Sequence, residues 1–197
     1  MSGIISDNVG RSSGLVKAVE AAGGAWTQKS KTTLSGDAAT WTIDGIFDDN
    51  KDIYNIQFIL GCTADQELYG RVRQGGATIS TSSYEWNMGH AAYNDSWSVG
   101  GSTGGTSWSL TPQNIDTFTG QIGFGLWNWY IYKPYGTAQQ VQIIESSAAN
   151  APDGYVIAEV GSRTLVNTPA AITGLHFLAS VGANLKDGST LWVSYLD

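Results

Sequence analysis

Ile53-Tyr-Asn-Ile-Gln-Phe-Ile-Leu60 alternates, with Tyr54, Ile56, Phe58 and Leu60 on one side and Asn55 and Gln57 among the residues on the other. A period of two over eight residues, rich in β-branched and aromatic side chains, predicts a strand with one face in a core. The same signal recurs in both directions. Upstream, residues 26–34 are Thr-rich and alternate loosely, and Trp41, Ile43 and Ile46 mark a further short strand. Downstream, Leu68 and Val72 share a face with Gly70 in 67–73, and Ile122, Phe124 and Leu126 alternate with glycine in 121–127. Glycine at such positions suits close packing on one face. Residues 138–144, 154–160, 174–180 and 189–196 complete the set. Strand-like runs parted by Gly, Asn, Asp, Ser and Pro, with no βαβ alternation and no internal repeat, predict an antiparallel sandwich or barrel. Two stretches read as connections: the Gly/Ser-rich 94–109, bracketed by Trp97 and Trp108, and the polar 145–153.

Composition narrows the function. The 197 residues suffice for one domain, and a chain of this size buries roughly 70% of its surface without needing disulfides. Charged residues are 14% and the net charge is −7, with only ten Lys and Arg, so no basic face is available for nucleic acid or for an anionic membrane. No apolar run approaches the ~20 residues that span a bilayer, and residues 1–25 lack the pattern of a secretory signal. The single cysteine, Cys62, excludes an intrachain disulfide, fits folding in a reducing compartment, and reads as a small buried hydrophobe.

The first 24 residues stand apart: all eight Trp, nine Tyr and five Phe lie from Ala25 onward. Ser12–Ala22 has the pattern of about two helical turns, capped by Ser12 or Ser13 with Leu15, Val16 and Val19 as a stripe, weakened by Gly14 and by its length. Gly23 and Gly24 read as a hinge. Residues 1–24 are thus expected to be an arm that orders against something else, and 25–197 the β domain; a frayed terminus or an added edge strand is the alternative.

Catalytic signatures are missing from the sequence. His90 and His176 have no flanking Ser or Cys motif, and no nucleophile elbow, zinc-protease motif or phosphate loop is present. His176 reads as a strand residue on a solvent face or at a subunit contact. Glu67, Glu85, Glu145 and Glu159 offer carboxylates for glycoside hydrolysis, but no spacing selects a pair. Asp44, Asp48, Asp49 and Asp52, with Asn50, form an acidic cluster of the kind that suits a hard cation, without the calcium-loop spacing; a solvated turn is the simpler reading. No cofactor is expected. The most unusual run is Trp127-Asn-Trp-Tyr-Ile-Tyr-Lys-Pro-Tyr135. As a strand it puts Trp127, Trp129 and Ile131 on one face and Asn128, Tyr130, Tyr132 and Pro134 on the other. One face suits the core; the aromatics, Trp127, Trp129, Tyr130, Tyr132 and Tyr135, suit either subunit packing or stacking on a sugar.

Residues 2–17, Ser2-Gly3-Ile4-Ile5-Ser6-Asp7-Asn8-Val9-Gly10-Arg11-Ser12-Ser13-Gly14-Leu15-Val16-Lys17, closely resemble a start shared by small virion proteins of tailed phages, especially marine and cyanobacterial ones. Phe47 to Tyr54 and the stretch from Ile172 to Tyr195 resemble the same group more loosely. Its members often close on Tyr-Gly, where this chain has Tyr195-Leu-Asp197, and the run 127–135 lies outside its pattern. The resemblance implies a jelly-roll-like sandwich behind an N-terminal arm. It further implies a homo-oligomer, most simply a trimer, on a virion surface after synthesis in the host cytoplasm, of the capsid-decoration, head-fibre or tail-fibre type. A globular domain without shaft repeats favours a capsid knob. In that setting residues 2–11 with Leu15 and Val16 bind a capsid or other virion protein, Ile4, Ile5, Val9, Leu15 and Val16 as apolar anchors and Arg11 as a directed polar contact. The other reading is a tail-fibre module whose aromatic run binds host-surface glycan.

Overall fold

The computed structural model describes residues 25–48, 50–64, 66–81, 83–91, 97–110, 124–135, 140–150, 156–166 and 170–197. The arm, and with it every residue of the 2–17 motif, lies outside the described residues, as does Asp49.

The described residues are all-β and contain no helix. Strands β1 (Trp26–Thr33), β3 (Ile53–Gly61), β6 (Tyr84–Ala91), β7 (Trp97–Gly105), β9 (Phe124–Tyr132), β10 (Val141–Asn150), β11 (Val156–Leu165) and β13 (Thr190–Leu196) build one sheet in the order β1-β13-β3-β9-β10-β11-β6-β7. A second sheet has the order β2 (Thr40–Asp44), β12 (Ile172–Ala179), β4 (Leu68–Gln74), β5 (Ala77–Thr78), with β8 (Trp108–Ser109) also paired to β4. All pairings are antiparallel. The chain crosses repeatedly between the sheets, as in β1-β2-β3-β4, which makes the sandwich jelly-roll-like.

Strand β3 lies in the interior of the large sheet, between β13 and β9. Tyr54, Ile56, Phe58 and Leu60 are all fully buried. Phe58 stacks on Trp127 (ring centroids 5.3 Å, planes 9° apart), meets Trp129 edge-on at 4.8 Å, and touches Phe177 of the opposite sheet at 5.0 Å. Trp129 in turn meets Trp108, and Trp108 meets Tyr84, both edge to face. This aromatic chain joins the two sheets, and such pairs add about 0.5–1.5 kcal/mol each beyond the area they bury. Each indole N–H has a partner: Trp127 donates to Leu110 O at 2.9 Å and Trp108 to Glu85 O and Thr164 O, both at 3.2 Å. Gly125 is the glycine this packing requires, because a Cβ there would stand 2.2 Å from the Trp127 ring. Cys62 is buried, as its apolar setting predicts.

Two expected connections are strands. The Gly/Ser stretch 94–109 contains β7 and β8. Among the described residues β7 pairs with β6 alone and lies at one edge of the large sheet, so it needs no two-sided apolar pattern. The stretch 145–153 carries β10 on to Asn150, since Glu145 and Ser147 point inward to polar partners rather than out to water.

Candidate interaction face

β9 divides the aromatic run as strand geometry demands. Trp127 and Trp129 are 0% exposed and Ile131 is buried, so all three belong to the core. This corrects their candidacy as ligand contacts: neither indole offers a face to anything outside the chain. Tyr130 and Tyr132 point outward, together with Phe124 and Leu126, and all four are exposed. Tyr135, beyond the strand, is half-buried and donates a 2.5 Å hydrogen bond to Asp52 Oδ1. The five candidates therefore form no single site; Tyr130 and Tyr132 remain on the surface.

The register shows what surrounds them. Across β3, β9, β10, β11 and β6, one row of outward positions reads Asn55, Tyr130, Ile144, Ser162, Asn87. The next reads Gln57, Asn128, Ser146, Val160, Gly89 and continues to Val99 on β7. A third reads Ile59, Leu126, Ala148, Ala158, Ala91. None of these residues is charged. Ile144, Val160 and Val99 are exposed, and Trp26, also exposed, brings its ring within 5.8 Å of Tyr130. Lysines stand at the rim, with Lys133 Nζ 5.3 Å from the Tyr132 ring centre and Lys186 Nζ 5.9 Å from that of Phe124. Toward β7, an open groove of about 490 Å3 is lined by Glu85, Asn87, Val99, Ser102, Ser162 and Thr164, among others.

Beneath the face lies a buried ionic cluster. Arg163 is 0% exposed. Its guanidinium grips Glu145 with two nitrogens, Nε to Oε2 and Nη2 to Oε1 at 3.0 Å, and donates through Nη1 to Ser109 O. Trp129 Nε1 adds a 2.9 Å bond to Glu145 Oε2. Two parallel charge-assisted bonds give an Arg–carboxylate pair its strength, but a buried pair is retained only where every remaining polar atom is satisfied. Glu159, two strand positions from Gly161, is 5% exposed. One of its oxygens accepts from Ser147 Oγ at 2.9 Å; Oε1 is buried without a hydrogen-bond partner among the described residues. Burial pushes its carboxyl up to about 7, with Glu145 adding to the rise and Ser147 and Arg163 opposing it. Sequence reasoning weighed Glu145 and Glu159 only as unpaired carboxylates. The signal was there: Glu145 follows Val141 and Ile143 on the inward parity of β10, and Arg163 precedes Leu165 on that of β11.

The remaining candidates are dispersed. Asp44 pairs with Arg73 at 2.6 Å, Asp48 with Lys29 at 2.6 Å and Asp52 with Lys133 at 3.8 Å, so the described members of the acidic cluster each face a different cation. Among the described residues no group of three or more His, Cys, Asp or Glu converges as a metal site would. His176 lies on β12, half-buried, with Nδ1 2.8 Å from Thr42 Oγ1. Burial, then Arg71 and Arg73, lowers its pKa. His90 stands opposite Glu159 in the β6–β11 register.

No protein-family model and no curated protein matches the chain. Among solved structures, galectin LEC-6 of Caenorhabditis elegans is similar at 10% identity, over 85% of this chain and 95% of that one, with a TM-score of 0.28. A likeness that distant carries no argument about what either face of this sandwich binds.

Proposed function

We propose that the chain is a non-enzymatic structural protein of a tailed-phage virion: a capsid decoration knob, made in the host cytoplasm, held on the particle by residues 2–17 and assembled as a homo-oligomer. One observation carries the reading. The stretch 2–17 is free of aromatics and closely resembles the start of tailed-phage virion proteins, while the described residues from Ala25 onward carry the core of a sandwich. Sixteen residues with five apolar anchors are too few to fold alone and suit ordering on binding. Repetition on a symmetric shell adds avidity, so single contacts need not be strong. The resemblance of residues 2–17 to phage virion proteins supplies the identity of the partner.

Cosedimentation with particles assembled without the protein tests it. The full chain should bind saturably at a symmetric copy number, and a chain starting at Ala25 should fold but not bind. Equal binding by both forms would remove the arm from the account.

A second reading has its own observation. Tyr130 and Tyr132 lie exposed on an uncharged face with Asn128 and Gln142 beside them in register, an arrangement suited to stacking on a host-surface glycan. Under that reading the Tyr130→Ala and Tyr132→Ala variants lose glycan binding, and the chain lacking residues 1–24 keeps it.

A further inference from the structure

Large apolar side chains are not scattered evenly over this surface. Of the exposed ones among the described residues, Trp26, Val99, Phe124, Leu126, Tyr130, Tyr132, Ile144 and Val160 all belong to the large sheet, and Val181 alone lies elsewhere, in a turn. The outward positions of β9, β10 and β11 that face solvent include Ile144 at 67% exposure. Large apolar side chains gathered on one uncharged sheet face, interspersed with neutral polar ones, mark an interaction surface rather than ordinary exposure.

We infer that this outer face of β3-β9-β10-β11-β6-β7 is the surface on which a second copy of the chain packs. Charge decides the occupant. The chain carries a net charge of −7, so two copies repel through most of their surface. The three central rows of the face hold no charged residue, and the fourth, Ile53, Tyr132, Gln142, Thr164, holds one only at its β6 end, Glu85. A like-charged copy can be accommodated there without burying an unpaired charge. The chemistry is also self-matching: apolar and neutral polar side chains meet their own kind, with lysines at the rim, the pattern of a protein interface.

Size agrees. Six strands about 4.8 Å apart and seven residues at about 3.3 Å give a face of roughly 24 by 23 Å in plan. With side-chain relief this approaches the ~800 Å2 that each partner buries in a standard specific interface. Sheets stack face to face at about 10 Å, so the outward side chains of one copy would interdigitate with those of the other. The inference rests on the reading that the chain self-associates, and it adds the surface through which it does so.

The test is the mass of the full chain by analytical ultracentrifugation, with three variants. Ile144→Asp and Val160→Asp place a carboxylate in the middle of the face, at exposed positions that leave the monomer's core untouched. Val181→Asp, at a position 98% exposed, is the control off the face. The wild type and Val181→Asp should form one discrete oligomer. The two face variants should dissociate, with the dissociation constant raised about 100-fold or more, because each interface would bury an unpaired charge. If all four proteins assemble alike, self-association stands but this surface is refuted. If the wild type is monomeric at concentrations on the order of 100 μM, self-association and this inference fall together. If the chain stays monomeric and binds a glycan that Ile144→Asp loses, the face is a ligand platform and the inference is wrong.

Discussion

Replacing Glu159 with Gln should change how stability depends on pH more than it changes stability itself. In the folded chain burial raises this carboxyl from 4.5 to about 7. A raised acid pKa means the folded state binds the proton more tightly than the unfolded one. Its contribution is therefore present in full below about pH 4.5 and is lost as pH rises through 7. A shift of that size corresponds to about 3 kcal/mol, and at 5% exposure little of it is screened by solvent. Glutamine keeps an acceptor for Ser147 but puts an amide N–H where Oε1 now has no partner, a pH-independent cost of about 1–3 kcal/mol. Urea denaturation at pH 5 and pH 8 separates the two effects. Wild type should lose about 2–3 kcal/mol between them that Glu159→Gln does not, part of the full loss having already occurred by pH 5. Near pH 5 the variant should be the less stable protein; near pH 8 it should match or exceed wild type. Parallel pH profiles would mean that Glu159 is solvated or paired in solution and that its carboxyl is not raised by burial.

Other outcomes follow from the same geometry. Trp129→Phe keeps the edge contact with Phe58 but removes a donor from buried Glu145, and should cost about 2–4 kcal/mol by thermal denaturation. Arg163→Met should cost about 3–5 kcal/mol because it leaves Glu145 buried and unpaired, whereas Arg163→Met with Glu145→Leu should recover much of that loss. Gly174→Ala should destabilise strongly, since its Cβ would stand 2.2 Å from Ile43 O in the neighbouring strand; a change below about 0.5 kcal/mol would mean β2 moves aside freely. Tyr130→Ser, on the exposed face, should leave monomer stability within about 0.5 kcal/mol.

Much of this fold was legible in the sequence because burial in a sandwich imprints a period of two. Ile53–Leu60 declared both its conformation and its inward face, and the split of Trp127/Trp129 from Tyr130/Tyr132 followed from parity alone. β7 was not legible, because an edge strand with glycines at Gly100, Gly101, Gly104 and Gly105 lacks the side chains that carry the signal. β10 was cut short for the opposite reason. Glu145 and Ser147 read as solvent-loving, yet their inward parity holds because Arg163 on the next strand supplies the counter-charge. That pairing depends on tertiary register, which spacing along the chain does not reveal. The same limit dissolved the candidate site: five aromatics close in sequence are divided by the sheet into core, face and turn.

The proposed attachment to a virion runs through the arm. Electron cryo-microscopy of particles decorated with the purified full chain tests it most directly. Knob-shaped density is expected at symmetric positions on the head, with the arm running into the shell and residues 2–17 in contact with it. Empty heads, or density at the tail tip alone with Tyr130 and Tyr132 facing outward, would contradict it.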